Sequence, residues 1–173
     1  MKHLVIICSL VLILVASCQD KSVLAELEKM KAQSELEEQN KHLAEKWHME
    51  PWVNWNWAAL DEICAPDIVI HNPDGSKTEG LEAVKGLEAF YEGIENIVIN
   101  HYEIIAEGDF VFIRWDMSMD HTNEFMGLPA TGNSIGPISG MDLFQIKDGK
   151  ITDLWQNFDQ LGFMQQLGAI PTQ

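Results

Sequence analysis

The chain has 173 residues, with 27 acidic side chains against 11 basic ones and a formal charge of −16 at neutral pH. Such a field repels phosphate backbones and anionic lipid headgroups, which argues against nucleic acid as a partner. No repeat, glycine-rich phosphate loop, C-x-x-C pair or H-E-x-x-H helix occurs, so no cofactor and no metal are expected from motifs.

The opening MKHLVIICSLVLILVASCQD places Lys2 before an apolar run from Leu4 to Val15, then small residues up to Cys18. A run this short has the layout of a secretory signal rather than of a spanning helix. Val15-Ala16-Ser17-Cys18 resembles the lipobox of bacterial lipoproteins. That resemblance implies a signal peptide over residues 1–17, a diacylglycerol on the Cys18 thiol and a further acyl chain, such as palmitate, on its new amine. One chain, at ~0.8 kcal/mol per buried CH2, binds a membrane only marginally, whereas several anchor stably. Gln19 does not resemble the Asp that retains such proteins at an inner membrane, so a lipid-anchored outer-membrane location is expected. Removing residues 1–17 takes one basic and no acidic residue, leaving 10 − 27 = −17. With Cys8 lost and Cys18 on lipid, Cys64 stands alone and reads as a small buried hydrophobe.

Residues 18–40 form a charged tether whose only large apolar positions are Val23, Leu24, Leu27, Met30 and Leu36. The stripe is too narrow for a core face and reads as a solvated helix or a partly disordered linker, with a short coiled coil as the alternative. A single domain over residues 41–173 follows. Leu43, Ala44, Trp47 and Met49 precede Pro51, which should end or kink their helix. Asn56 is placed to cap a second helix through WAALDEICAP, stopped by Pro66. Asp67 to Asn72 reads as a strand, Pro73-Asp74-Gly75 as a turn, and Gly80 to Ile94 as an amphipathic helix.

The period then changes to two. Strands are expected over about 97–106, 110–121, 135–146 and 151–158, the last pair joined by the hairpin signal Asp148-Gly149. Asp159 should cap a final helix over QLGFMQQLG. Helices first and long strands after give an α+β domain: a curved antiparallel sheet with N-terminal helices on its concave face. In FVFIRWDMSMDH, one face carries Val111, Ile113, Trp115, Met117, Met119 and His121. Trp115, Met117 and Met119 either fill a core or wall a pocket, and periodicity does not choose between these.

Three stretches, LDEICAPDIVIHNPDG, TNEFMGLPATGNSI and DGKITDLWQNFDQLGFMQQLG, resemble the SnoaL-like polyketide cyclases and ester cyclases of the nuclear transport factor 2-like superfamily. The resemblance runs from about Asn40 to Pro171. It implies a cone-shaped pocket fold without a cofactor. The founding cyclases close a ring by an aldol step, using an Asp as acid/base beside a His, with a pocket Asn nearby. Carried over, the Asn is Asn72, the family His falls on Asp142 and the catalytic Asp falls on Gln156. Glutamine does not exchange a proton near neutral pH, so Asp142, on the neighbouring strand, becomes the candidate base.

His121 ends the Trp-Met face and is a further candidate; His71 points opposite to Asn72, and Asn72 is the one expected to enter the cavity. Asp142, His121 and His71 lack metal-ligand spacing. Two functions from different classes follow. The first is a cofactor-independent lyase, isomerase or hydrolase acting on a small, largely apolar oxygenated molecule; the second is a binding module or homodimeric interaction domain built on the same cone.

Overall fold

The computed structural model describes the backbone of residues 2–171 and the side chains of residues 21–171. Residues 1–17, expected to be a signal peptide, and Cys18 lie outside the described side chains. Among the described residues no helix is long and apolar enough to cross a membrane. The chain divides into two units, Met1–Leu36 and Glu37–Gln173. The first belongs to helix α1 (Lys2–His48), and from Lys21 to Leu36 it is almost wholly exposed, Val23, Leu24, Leu27, Met30 and Leu36 included.

In the second unit, α1 ends in a stripe of Asn40, Ala44, Trp47 and His48, all buried. Glu37 and Asn40 clamp this stretch to the turn between the third and fourth strands. The Gly108 amide donates to Glu37 Oε1 at 3.0 Å, and Asn40 Nδ2 donates to the Gly108 carbonyl at 3.1 Å. Pro51 does not stop the chain abruptly. A single π-helical turn, Met49–Val53, follows α1 and is closed by Asn54 N–H to Met49 O at 2.8 Å. The wider turn accommodates a proline, which has no N–H to offer.

The expected second helix is shorter than its sequence suggests. A 3₁₀ turn, Trp57–Ala59, runs into α2 (Leu60–Ile63). Asn56 caps neither, because its amide donates to Glu50 Oε2 at 2.7 Å instead. Pro66 is not a helix stop either but sits inside β1 (Cys64–His71), at a register shift between Cys64 and Val69 where a missing N–H is tolerated. Strand β2 (Lys77–Glu79), which has no apolar signature, turns back on β1. The helix expected over residues 80–94 is split at Gly86 into α3 (Leu81–Lys85) and α4 (Leu87–Tyr91).

Four long strands follow: β3 (Ile94–Glu107), β4 (Phe110–His121), β5 (Ser134–Lys147) and β6 (Lys150–Phe158). The sheet order is β2-β1-β6-β5-β4-β3, curved and unclosed. Every pair is antiparallel except β1 with β6, which is parallel because the β3–β5 meander intervenes before the chain returns beside β1. Helix α5 (Gln160–Leu167) closes the chain, its first turn capped by Asp159, which accepts from the Gly162 amide at 2.8 Å.

Alternation on β4 buries Val111, Ile113, Trp115, Met119 and His121, and on β5 it buries Ile138, Gly140, Asp142, Phe144 and Ile146. From these rows Val111, Ile113, Trp115, Phe144 and Ile146 join Trp47, Leu60, Ile68 and Leu154 in the main core. A second cluster of Ile94, Met119, Phe125, Ile135, Ile138 and Leu167 lies toward the loop after β4. Cys64 is buried in the main core, and desolvation pushes its thiol up to about 12, so at neutral pH it is a packing group.

Candidate functional site

Between α1, the π turn and the concave face lies a cavity of about 210 Å³. Trp47, Trp52, Tyr91, Trp115, Met117, Met119 and Phe158 give it an apolar wall, and His48, Asn72, Thr78 and Gln156 are its polar lining. The Trp-Met face therefore walls an open space. Trp115 is held by the shape of its neighbour: Gly140 lies opposite it in register, and a Cβ there would sit 2.2 Å from Trp115 Cζ2. Only glycine leaves room for that indole.

Asn72 closes β1, and its amide reaches Ser76 Oγ at 3.2 Å and Thr78 Oγ1 at 3.3 Å, which fixes the side chain at the β2 edge of the cavity. His71, one residue earlier, faces the other side of the sheet. It stacks on Trp155 at 4.7 Å and lies 3.2 Å from Asp153 Oδ1. Gln156 lines the cavity on β6 and is the direct cross-strand partner of Asp142 on β5.

Asp142 is 1% exposed and does not itself form the lining. It lies behind His48 and Trp115. His48 Nε2 is 2.8 Å from Asp142 Oδ2, and His48 Nδ1 is 2.8 Å from His101 Nε2 on β3. Beyond it, His101 Nδ1 is 4.0 Å from Glu45 Oε1, one helical turn back on α1. Asp142 Oδ1 has no hydrogen-bond partner among the described residues. Burial raises the Asp142 pKa above its ordinary 3.8, and the hydrogen bond from His48, its charge and the Trp115 indole N–H offset part of that rise. His101 is shifted down, first by desolvation and then by His48, with Glu45 acting the other way. Burial likewise pushes the Tyr91 phenol up.

His121 is removed from the site. It is fully buried, but its Nδ1 meets Thr131 Oγ1 at 3.1 Å and its ring packs edge-on against Phe125 in the second cluster. The loop of residues 122–133 folds back over the end of β4, with the Gly132 amide donating to the His121 carbonyl, so this histidine holds the loop rather than lining the cavity. Among the described residues no group of three or more His, Cys, Asp or Glu side chains is placed to hold a metal ion.

Two residues of the cluster, His48 and His101, do not stand out in the sequence. Signals for both exist. His48 falls four residues after Ala44 on the buried stripe of α1, and His101 continues the alternation of Ile97 and Ile99 on β3.

A model of the SnoaL-like polyketide cyclases matches residues 42–167. The chain belongs to this family. A candidate SnoaL-like polyketide cyclase from Jannaschia sp. CCS1 superimposes with a TM-score of 0.70 at 22% identity, over 78% of this chain and 95% of that one. IdmH, a candidate polyketide cyclase from Streptomyces antibioticus, gives 0.60 at 27% identity over 70% and 93%. An LEH-like epoxide hydrolase of M. tuberculosis gives 0.59 at 18% identity over 76% and 93%. At 22% and 18% identity the first and last show the shared cone fold. No protein of curated function matches the chain.

The buried pair in this SnoaL-like domain has a defined pH signature. Because the Asp142 pKa is raised on folding, the proton it binds stabilises the folded state below pH 3.8, and that contribution is lost as pH rises through its folded value. Asp142→Asn keeps an acceptor for His48 without the buried charge. We expect the variant to melt at or above the parent at neutral pH, with the advantage shrinking as pH falls toward 3.8. Thermal melts of both proteins across that range check this, and a variant far less stable at pH 7 would mean the ionised pair is net stabilising.

Proposed function

We propose that this SnoaL-like domain is a cofactor-independent enzyme that moves a proton on a small, largely apolar oxygenated molecule held in the cavity. The observation that carries this reading is the fully buried Asp142, hydrogen-bonded at 2.8 Å to a histidine of the cavity wall. A carboxyl with a raised pKa and one unpartnered oxygen is suited to give and take protons closer to neutrality than an ordinary aspartate. It reaches the cavity through His48, whose ring is part of the lining. Asn72, Thr78 and Gln156 orient the polar end of the ligand, and Trp115, Met117 and Met119 hold its apolar part. The names of the similar structures, cyclases and an epoxide hydrolase, are consistent with lyase, isomerase or hydrolase chemistry on such molecules.

Size narrows the class. An apolar cavity of roughly 150 Å³ takes up benzene, so about 210 Å³ suits a molecule of one ring with short substituents. A multi-ring polyketide would not be enclosed.

One observation favours a second reading, a binding module. Both nitrogens of His48 are engaged within the cluster and Asp142 stands behind the wall, while a glutamine occupies the position the resemblance assigns to the catalytic acid. The same pocket would then capture a ligand without changing it.

The lipobox-like Val15-Ala16-Ser17-Cys18 supports placing the domain at the bacterial envelope, anchored through lipid on Cys18 and held off the membrane by residues 18–40. The outer face of the sheet supports a homodimer. Ile105, Phe112, Leu143 and Trp155 are successive cross-strand partners over β3, β4, β5 and β6, forming an apolar row that a second copy would cover.

Three outcomes are expected. In a thermal-shift screen of lactones, epoxides, terpenoids and phenols, one-ring compounds raise the midpoint, and Asp142→Asn still binds the best of them but no longer converts it. A ligand bound and never converted by the parent protein would establish the binder instead. Radiolabelled palmitate is incorporated by the parent in a bacterial host and not by Cys18→Ser; equal labelling removes the anchor proposal. Leu143→Glu halves the mass measured by light scattering, whereas an unchanged mass moves the interface elsewhere.

A further inference from the structure

Beyond the pair at the cavity, the histidine cluster continues outward in one direction. From buried Asp142, hydrogen-bonded steps of 2.8 Å lead to His48 and then to His101, whose other nitrogen is 4.0 Å from Glu45. Glu45 in turn is 3.1 Å from the Nδ1 of His42, which is 75% exposed. The path thus crosses from β5 to α1, to β3 and back to α1, ending at the surface. Asp142 is buried behind the cavity wall, the His101 side chain is 14% exposed and that of Glu45 35% exposed, so burial declines steadily along it.

We propose that His101 and Glu45 form a proton conduit that connects Asp142 to solvent from behind the cavity, independently of the route by which a ligand enters. The proposal rests on the reading of Asp142 as the site's acid. A carboxyl sealed behind an apolar wall has no water to reset it while a ligand fills the cavity, and a second route removes that block.

The chemistry closes with one proton in and one proton bound. With Asp142 ionised, His48 carries its hydrogen on Nε2 and donates it to Oδ2, while its Nδ1 lone pair accepts from His101 Nε2–H. A proton from solvent, handed on by Glu45 through a water spanning the 4.0 Å gap, binds His101 Nδ1. The Nε2 proton of His101 then moves to His48 Nδ1, and the Nε2 proton of His48 moves to Asp142 Oδ2. Both histidines end neutral with their tautomers exchanged, and Asp142 is protonated; the reverse sequence releases a proton. No bond other than N–H and O–H is made or broken. Each imidazole is suited to this because its two nitrogens reach different partners. The charged or titratable groups facing the path are Asp142 on β5, His48, Glu45 and His42 on α1, and His101 on β3. His101 and Glu45 touch no ligand and act as positioning and relay residues.

Nuclear magnetic resonance on the full chain labelled with 15N-histidine tests this without any substrate, so it stands apart from whether the domain is catalytic. A scalar coupling across the hydrogen bond is expected between His48 Nδ1 and His101 Nε2. Solvent exchange of the His48 ring proton should be unchanged when toluene, used as the cavity-filling probe, is added. His101→Phe should slow that exchange by about 100-fold, the scale of losing a positioned acid–base group, and Glu45→Gln, at the surface end, should slow it severalfold. If His101→Phe fails to fold, Glu45→Gln decides. Exchange insensitive to the substitutions, or exchange in the parent that toluene blocks, would overturn the conduit and route the proton through the cavity.

Discussion

Everything about the site depends on one carboxyl group placed where the sheet should be apolar. The inward row of β5 reads Ile138, Gly140, Asp142, Phe144, Ile146, and a charged or unpaired acid in that row would cost several kcal/mol. The fold answers with His48, brought from the last turn of α1 to 2.8 Å. Removing one member of such a buried pair costs about 3–5 kcal/mol, because the other is left unpaired. The end of α1 is therefore tied to the sheet by chemistry as well as by Trp47 and Ala44.

That arrangement sets stability against use. The Oδ1 of Asp142 and the indole N–H of Trp47 are buried beside the cavity without a hydrogen-bond partner of ordinary geometry. Hydrophobes of similar volume in place of both Asp142 and His48 would pack more easily than the buried pair. Gly140 acts beside it: by carrying no side chain it lets the Trp115 indole pack next to the carboxyl.

Much of the fold was legible because the strands alternate cleanly. Phe110 to His121 is read as a strand from period two alone, with Trp115, Met117 and Met119 on one face; that this face lines a cavity is a choice periodicity left open. Turns with Asp-Gly and the Asp159 cap are local chemistry, visible without the fold. The errors fall where tertiary partners override local signals. Asn56 gives its amide to Glu50 rather than to a helix end, Pro66 is absorbed by an irregular strand, and β2 has no pattern because three residues at an edge need none. His121 has the right parity but lies past the cavity, under a loop whose return path the sequence does not reveal. His48 and His101 each look ordinary alone, and only the crossing of α1 over β3 makes them a pair.

The glutamine at position 156 then reads differently. Asp142 and Gln156 are direct partners across β5 and β6, and partners of that kind have Cβ atoms about 4.5–5.5 Å apart. By resemblance the family carries its histidine at the first position and its acid at the second. Here the acid stands at the first, and the imidazole comes from the helix above it. An acid and a histidine in hydrogen-bond contact are thus both present, with the acid moved by one cross-strand step and the histidine supplied by a different element. Such an exchange leaves the cone, the wall and the polar rim intact while turning the pair's axis toward α1 and away from the β6 side, where Gln156 now offers a neutral amide. What differs from the family pattern is therefore the placing of the acid and its histidine, on β5 and α1 rather than on β6 and β5.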